Sequence, residues 1–149
     1  MTYRTEFRDY PIHDMPALPN GFVDASYCND VCPHFDNEAM RISVWIDYPD
    51  KAQREYPEVK RFTVHSIDAE GYATELLLES DVWTDVLNFI QDTARDRMIA
   101  EYSNWNHAQG LDLGSADEHL WDESLTEAQR AWVRDFSERW EAMENMNRD

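Results

Sequence analysis

Apolar and polar residues alternate with a period of two along residues 41–48. Ile42, Val44, Ile46 and Tyr48 fall on one face, and Arg41, Ser43, Trp45 and Asp47 on the other. That period is the signature of a strand with one buried side, and Pro49 ends it. Residues 61–67 repeat the pattern, with Phe62 and Val64 sharing a face. Asp68-Ala69-Glu70-Gly71 then reads as a tight turn in which Gly71 takes a positive φ, and residues 72–79 return as the hairpin partner. Residues 22–28 supply one further strand. The pattern predicts an α+β fold with a four-stranded, mainly antiparallel sheet.

After Ser80 the period changes. Ser80 is the expected N-cap of a helix over about 81–102, and Trp83, Val86, Leu87, Ile90 and Ala94 share the face expected to cover the sheet. A second, C-terminal helix is predicted over about 125–147. It opens on a Thr126/Gln129 capping box (Ser124/Glu127 is the alternative one turn earlier) and gathers Trp132, Val133, Phe136, Trp140 and Met143 on one face. Residues 1–20, punctuated by Pro11, Pro16 and Pro19, read as an extended arm closed by a turn at Asn20-Gly21. Residues 103–123 read as a polar connection in which Ser115–Glu118 caps one short helix before Trp121. These two stretches are expected to be the most adaptable parts of one domain spanning 1–149.

Composition supports a folded chain and narrows its partners. Of 149 residues, 42% are hydrophobic, including six Trp, seven Tyr and six Phe, which is enough to build a core. The formal net charge is −18. Phosphate binding needs clustered Lys and Arg, so this balance excludes direct nucleic-acid binding and docking on an anionic membrane. It favours a basic partner, a bound cation or solubility alone. No apolar run reaches the length of a membrane span or has the form of a secretory signal, and two cysteines are too few for a disulfide scaffold, so the cytoplasm is the expected location.

The acid is unevenly placed. Residues 61–149 hold 20 acids and seven bases, against 11 and six in residues 1–60. No Lys or Arg occurs from 62 to 94 or from 98 to 129. Within the first predicted helix, Asp81, Asp85, Asp92 and Asp96 fall in an arc of roughly 60°, nearly opposite the apolar face. Spaced carboxylates of this kind can stand in for phosphates on a basic groove. The leading expectation is therefore a non-enzymatic acidic module that docks on a basic protein surface, as a nucleic-acid mimic inhibiting a restriction or CRISPR-type protein would. The likeness to such inhibitors rests on size and charge, and no motif matches any of their families.

The most concentrated candidate chemistry is Cys28-Asn-Asp-Val-Cys32-Pro-His34. Thiolate and imidazole suit zinc, but this spacing supplies three ligands at most and leaves a fourth to His13 or Asp36. A second reading thus centres a metal site or a Cys/His-dependent enzyme on Cys28, Cys32 and His34, with His65 an alternative base. His107 and His119 near Asp112, Asp117 and Asp122 form a further carboxylate–imidazole grouping of the kind so acidic a chain produces by chance. A third reading leaves the protein structural or oligomeric, with acid for solubility only. No cofactor is expected.

Overall fold

The computed structural model describes residues 2–111 and 124–148. They gather into two compact units, residues 1–89 and 90–149.

The first unit is built on five strands, β1 (Val23–Asp24), β2 (His34–Asn37), β3 (Ile42–Ile46), β4 (Phe62–Ile67) and β5 (Ala73–Ser80), in the order β1-β2-β3-β4-β5. Every neighbouring pair is antiparallel, so the sheet is a meander. The alternation seen in the sequence sets the register. Val44 lies opposite Val64 and Ile46 opposite Phe62, and Val44, Ile46 and Val64 are fully buried. The β4–β5 turn is tied by the Asp68 carboxylate, which accepts the Glu70 and Tyr72 N–H groups at 3.0 and 2.9 Å, while Gly71 sits at φ 89°.

The sheet has five strands where the sequence predicts four. The strand expected over 22–28 shrinks to two residues. Asp24 turns its carboxylate onto the backbone N–H groups of Tyr3 and Ser26 (2.8 and 3.1 Å), a local bond that competes with a longer ladder. The additional strand, β2, is short and polar and is stabilised by side-chain hydrogen bonds.

The first twenty residues are not simply an extended arm. Tyr3–Glu6 form a helical turn, α1, and Tyr3, Phe7 and Tyr10 are buried. Tyr3 meets Phe35 and Tyr10 edge-on, and the Tyr10 hydroxyl donates to the Asp47 carbonyl at 3.0 Å. The prolines begin only at residue 11, where Ile12–Asp14 still form a 3₁₀ turn, so they place no restriction on these three aromatic side chains.

Helix α2 spans Trp83–Ala108, starting later and ending later than expected. The Ser80 hydroxyl accepts the Val82 N–H at 3.0 Å and donates to the Asp85 carboxylate at 2.6 Å, holding the two residues before the helix in a turn. Trp83 packs edge-on against Phe62, and Val86 is fully buried. The helix passes residue 102 because the next breaker is Gly110, at φ 67°, where the Leu111 N–H returns to the Asn106 carbonyl.

In the second unit, α2 from Ile90 onward runs antiparallel to α3 (Glu127–Glu144). The Thr126/Gln129 capping box is closed in both directions, at 3.1 and 2.9 Å. Trp105 and Trp132 stack with ring centroids 4.1 Å apart, Tyr102 packs on Phe136, and the Gln91 amide donates to the carbonyls of Met143 and Glu144. Arg139 grips Glu101 with two nitrogens, at 3.0 and 2.7 Å. The expected short helix at Ser115–Glu118 lies outside the described residues.

Candidate functional site

The face of the sheet away from Val44 and Val64 carries the candidate chemistry. His34 on β2 pairs across the ladder with Trp45 on β3, and their rings stack at 4.2 Å, 12° from parallel. The His34 Nδ1 lies 3.1 Å from the Asp36 carboxylate, and Nε2 lies 3.1 Å from that of Asp30. A neutral imidazole has one N–H, so only the doubly protonated ring donates to both carboxylates at once. The ring rests on the indole face of Trp45.

Ser43 completes the group and resembles a Ser/His/Asp triad, but the geometry is wrong for nucleophilic attack. The Ser43 hydroxyl donates to Asp36 at 2.6 Å and lies 3.3 Å from the same Nδ1 that faces Asp36. A triad sets the nucleophile and the orienting carboxylate on opposite nitrogens. Ser43 is also buried. Burial alone would push the Asp36 carboxyl up, but hydrogen bonds from His34 and Ser43 outweigh it and hold the group below the ordinary carboxylate range.

Beside this cluster the sheet face opens into a cavity of about 570 Å³, within the size range of small-ligand sites. Trp45, Thr63 and His65 form the floor. Asp30 and Cys32 from the β1–β2 connection close one side, Val59 and Lys60 from the β3–β4 connection another, and Leu76 and Glu79 of β5 a third. The β3–β4 wall is fixed by the buried Arg54, which donates to the carbonyls of Tyr48, Val59 and Pro49 at 2.7, 3.1 and 3.2 Å. Arg61 spans to the N-terminal segment, donating to the carbonyls of Asp47 and Asp14. His65 meets Trp45 edge-on, and burial pulls its imidazolium below the usual histidine range.

The residues singled out in the sequence are not assembled as a metal centre. Cys28 is exposed and Cys32 buried, and both His34 nitrogens are committed to carboxylates. Among the described residues no group of three or more His, Cys, Asp or Glu is placed to hold a metal ion. Burial pushes the Cys32 thiol well up, so it stays protonated and unreactive. His119, Asp112, Asp117 and Asp122 lie outside the described residues.

The aspartate row divides in role. Asp81 precedes the helix, accepts the Arg61 N–H at 2.9 Å and pairs with Lys60 at 3.4 Å. Asp85 takes the Ser80 hydroxyl, and Asp92 pairs with Arg95 at 3.1 Å. Asp96 is exposed on the same helix.

The feature missed in the sequence is β5 as an edge. It is eight residues long and pairs on one side only, with β4. Leu76 and Leu77 are 51% and 38% exposed, and Tyr72 just before them is 72% exposed. Two register shifts against β4 insert extra residues into β5, which turns Leu77 out of the alternation. The signal was Leu76-Leu77-Leu78 itself: three consecutive leucines cannot share one face of a strand.

Comparison with protein-family models, with curated proteins and with solved structures finds no match.

Proposed function

We propose that the protein is a non-enzymatic acidic binding module that takes up a basic, extended segment of a partner protein along the β5 edge. One observation carries this reading. Long, apolar edge strands are normally blunted by charged side chains, proline, bulges or a covering element. β5 carries two glutamates and two bulges, but it has neither Lys nor Pro, still exposes Leu76 and Leu77, and is open on its outer side among the described residues. Strand addition satisfies such an edge with backbone hydrogen bonds. Glu75 and Glu79 on the strand, in a stretch from 62 to 94 without Lys or Arg, select a partner segment rich in Lys or Arg. The Asp81, Asp85, Asp92 and Asp96 row becomes an auxiliary source of field, since three of its members already hold partners within the chain.

The test uses an acetylated, amidated heptapeptide alternating lysine with valine, titrated by calorimetry. Binding should weaken several-fold between about 0.05 M and about 0.5 M salt. The same peptide with every internal backbone nitrogen methylated keeps its charge and side chains but has no N–H left to donate on either edge, and it should bind at least tenfold more weakly. Equal binding of the methylated peptide would overturn strand addition. So would self-association through β5, seen as a dimer that Leu77→Lys dissociates.

A further inference from the structure

We infer that the cavity on the outer sheet face is the specificity pocket of this edge, and that it receives one aromatic or large aliphatic side chain of the strand added to β5. The inference rests on the strand-addition reading and names what that site selects.

The geometry follows from the sheet's period of two. Over Leu78–Ser80, which pair with β4 without a shift, a strand laid against β5 continues the meander, so alternate side chains project from the face that carries Trp45, Thr63 and His65. The cavity lies on that face and reaches the edge, because Leu76 and Glu79 of β5 are part of its wall. A residue of the added strand on this face therefore stands at the cavity mouth, while its two neighbours along the chain point to the other face. The next residue on the cavity side lies roughly 7 Å away along the strand.

The walls determine what fits. Trp45, Val59 and Leu76 offer an apolar surface, and the volume of about 570 Å³ exceeds what any single side chain fills. Lys60 does not call for an anion there, because Asp81 is 3.4 Å from its ammonium and the Glu79 carboxylate accepts its backbone N–H at 3.4 Å. Asp47, at the inner end, has its carboxyl pushed up by burial and gives one oxygen to the Tyr48 N–H at 2.8 Å. The Asp30 carboxylate is already taken up by His34 at 3.1 Å, so an uncharged ring or branched aliphatic chain is the matching chemistry. The wall is also rigid, since Arg54 fixes the β3–β4 connection with its three carbonyl bonds, so little ordering opposes entry of the side chain.

The experiment compares two heptapeptides of alternating lysine and valine that differ only at the central position, phenylalanine in one and alanine in the other. The phenylalanine peptide should bind about tenfold or more tightly, the effect of burying one ring in an apolar site. In ¹⁵N-labelled protein it should shift the Trp45 indole N–H resonance, assigned from Trp45→Phe, while the alanine peptide leaves it in place. Thr63→Phe, which fills the floor from within, should bring the ratio of the two affinities close to one. If both peptides bind the native protein equally, the pocket inference is overturned while strand addition stands. If neither binds, strand addition itself has failed. A phenylalanine preference that survives in Thr63→Phe also overturns the pocket assignment.

Discussion

Asp36 is held by two hydrogen bonds that exist only in the folded chain, and this makes it a measurable contributor to stability. Its carboxyl lies below its ordinary value of 3.8 once folded, despite burial, because His34 and Ser43 donate to it. The folded protein therefore binds fewer protons there than the unfolded chain, so stability rises with pH across that interval. The contribution is complete above the ordinary carboxylate range and is lost as the pH falls through the depressed value. Asp36→Asn should lower unfolding stability at neutral pH by about 1.5–3 kcal/mol, the range for hydrogen bonds to charged groups. The gap between the variant and the native protein in urea titrations should close in acid. A gap that stays unchanged however far the pH is lowered below the ordinary carboxylate range would mean that Asp36 acts through packing and not through charge. The cysteines give a second residue-scale contrast. Cys28 is exposed, whereas Cys32 is 2% exposed and its thiol is pushed well up by burial. One thiol should react rapidly with iodoacetamide in the folded protein, at Cys28 by peptide mapping. The second should react only in denaturant, since the thiolate is the nucleophile.

At the scale of elements, Arg54 shows how a connection whose regular structure is one 3₁₀ turn, Lys51–Gln53, can be as fixed as a strand. Its guanidinium is buried and closes the segment between β3 and β4 by donating to three carbonyls. Arg54→Met keeps much of the apolar stem but leaves those carbonyls without a donor. It should cost at least about 2 kcal/mol, read from denaturant midpoints, and should loosen the Val59–Lys60 wall of the cavity. Unchanged stability would show that water replaces the guanidinium. This device is not legible in the sequence, because a pattern of apolar positions carries no information about which arginine turns inward. β3 and β4 were legible for the opposite reason: Ile42, Val44 and Ile46, then Phe62 and Val64, alternate over enough residues to define a buried face. β2 was not, since Phe35 is its one apolar residue and its buried neighbours His34 and Asn37 are polar. Helix α2 starts two residues later and ends six residues later than its pattern predicts, because Ser80 serves β5 as well as the helix start and the stop comes only at Gly110. Of the site, Trp45 and His65 were placed correctly on the outer face by the alternation. Their grouping with His34, Asp36 and Ser43 depends on the β2–β3 register, which no single segment encodes.

For the whole molecule, the net charge of −18 sets two opposing electrostatic effects against each other, and their magnitudes decide the response to salt. Repulsion among so many carboxylates disfavours the compact state. The ion pairs described among Lys and Arg, such as Lys60–Asp81, Arg95–Asp92 and Arg139 with Glu101 and Asp135, are exposed. Pairs of that kind contribute about 0–1 kcal/mol each. Raising salt from about 0.01 M to about 0.15 M shortens the screening length from about 30 Å to about 8 Å, which suppresses long-range repulsion while the short contacts lose less. The melting temperature should therefore rise by several degrees with sodium chloride. Substituting Glu75, Asp92 and Asp96 by their amides should raise it at low salt and shrink the salt effect. The same substitutions separate stability from binding, because screening that stabilises the fold must weaken a basic peptide on β5. A melting temperature that falls with salt would mean that local ion pairs outweigh the net repulsion, and the acidity would then be acting within the fold as well as toward a partner.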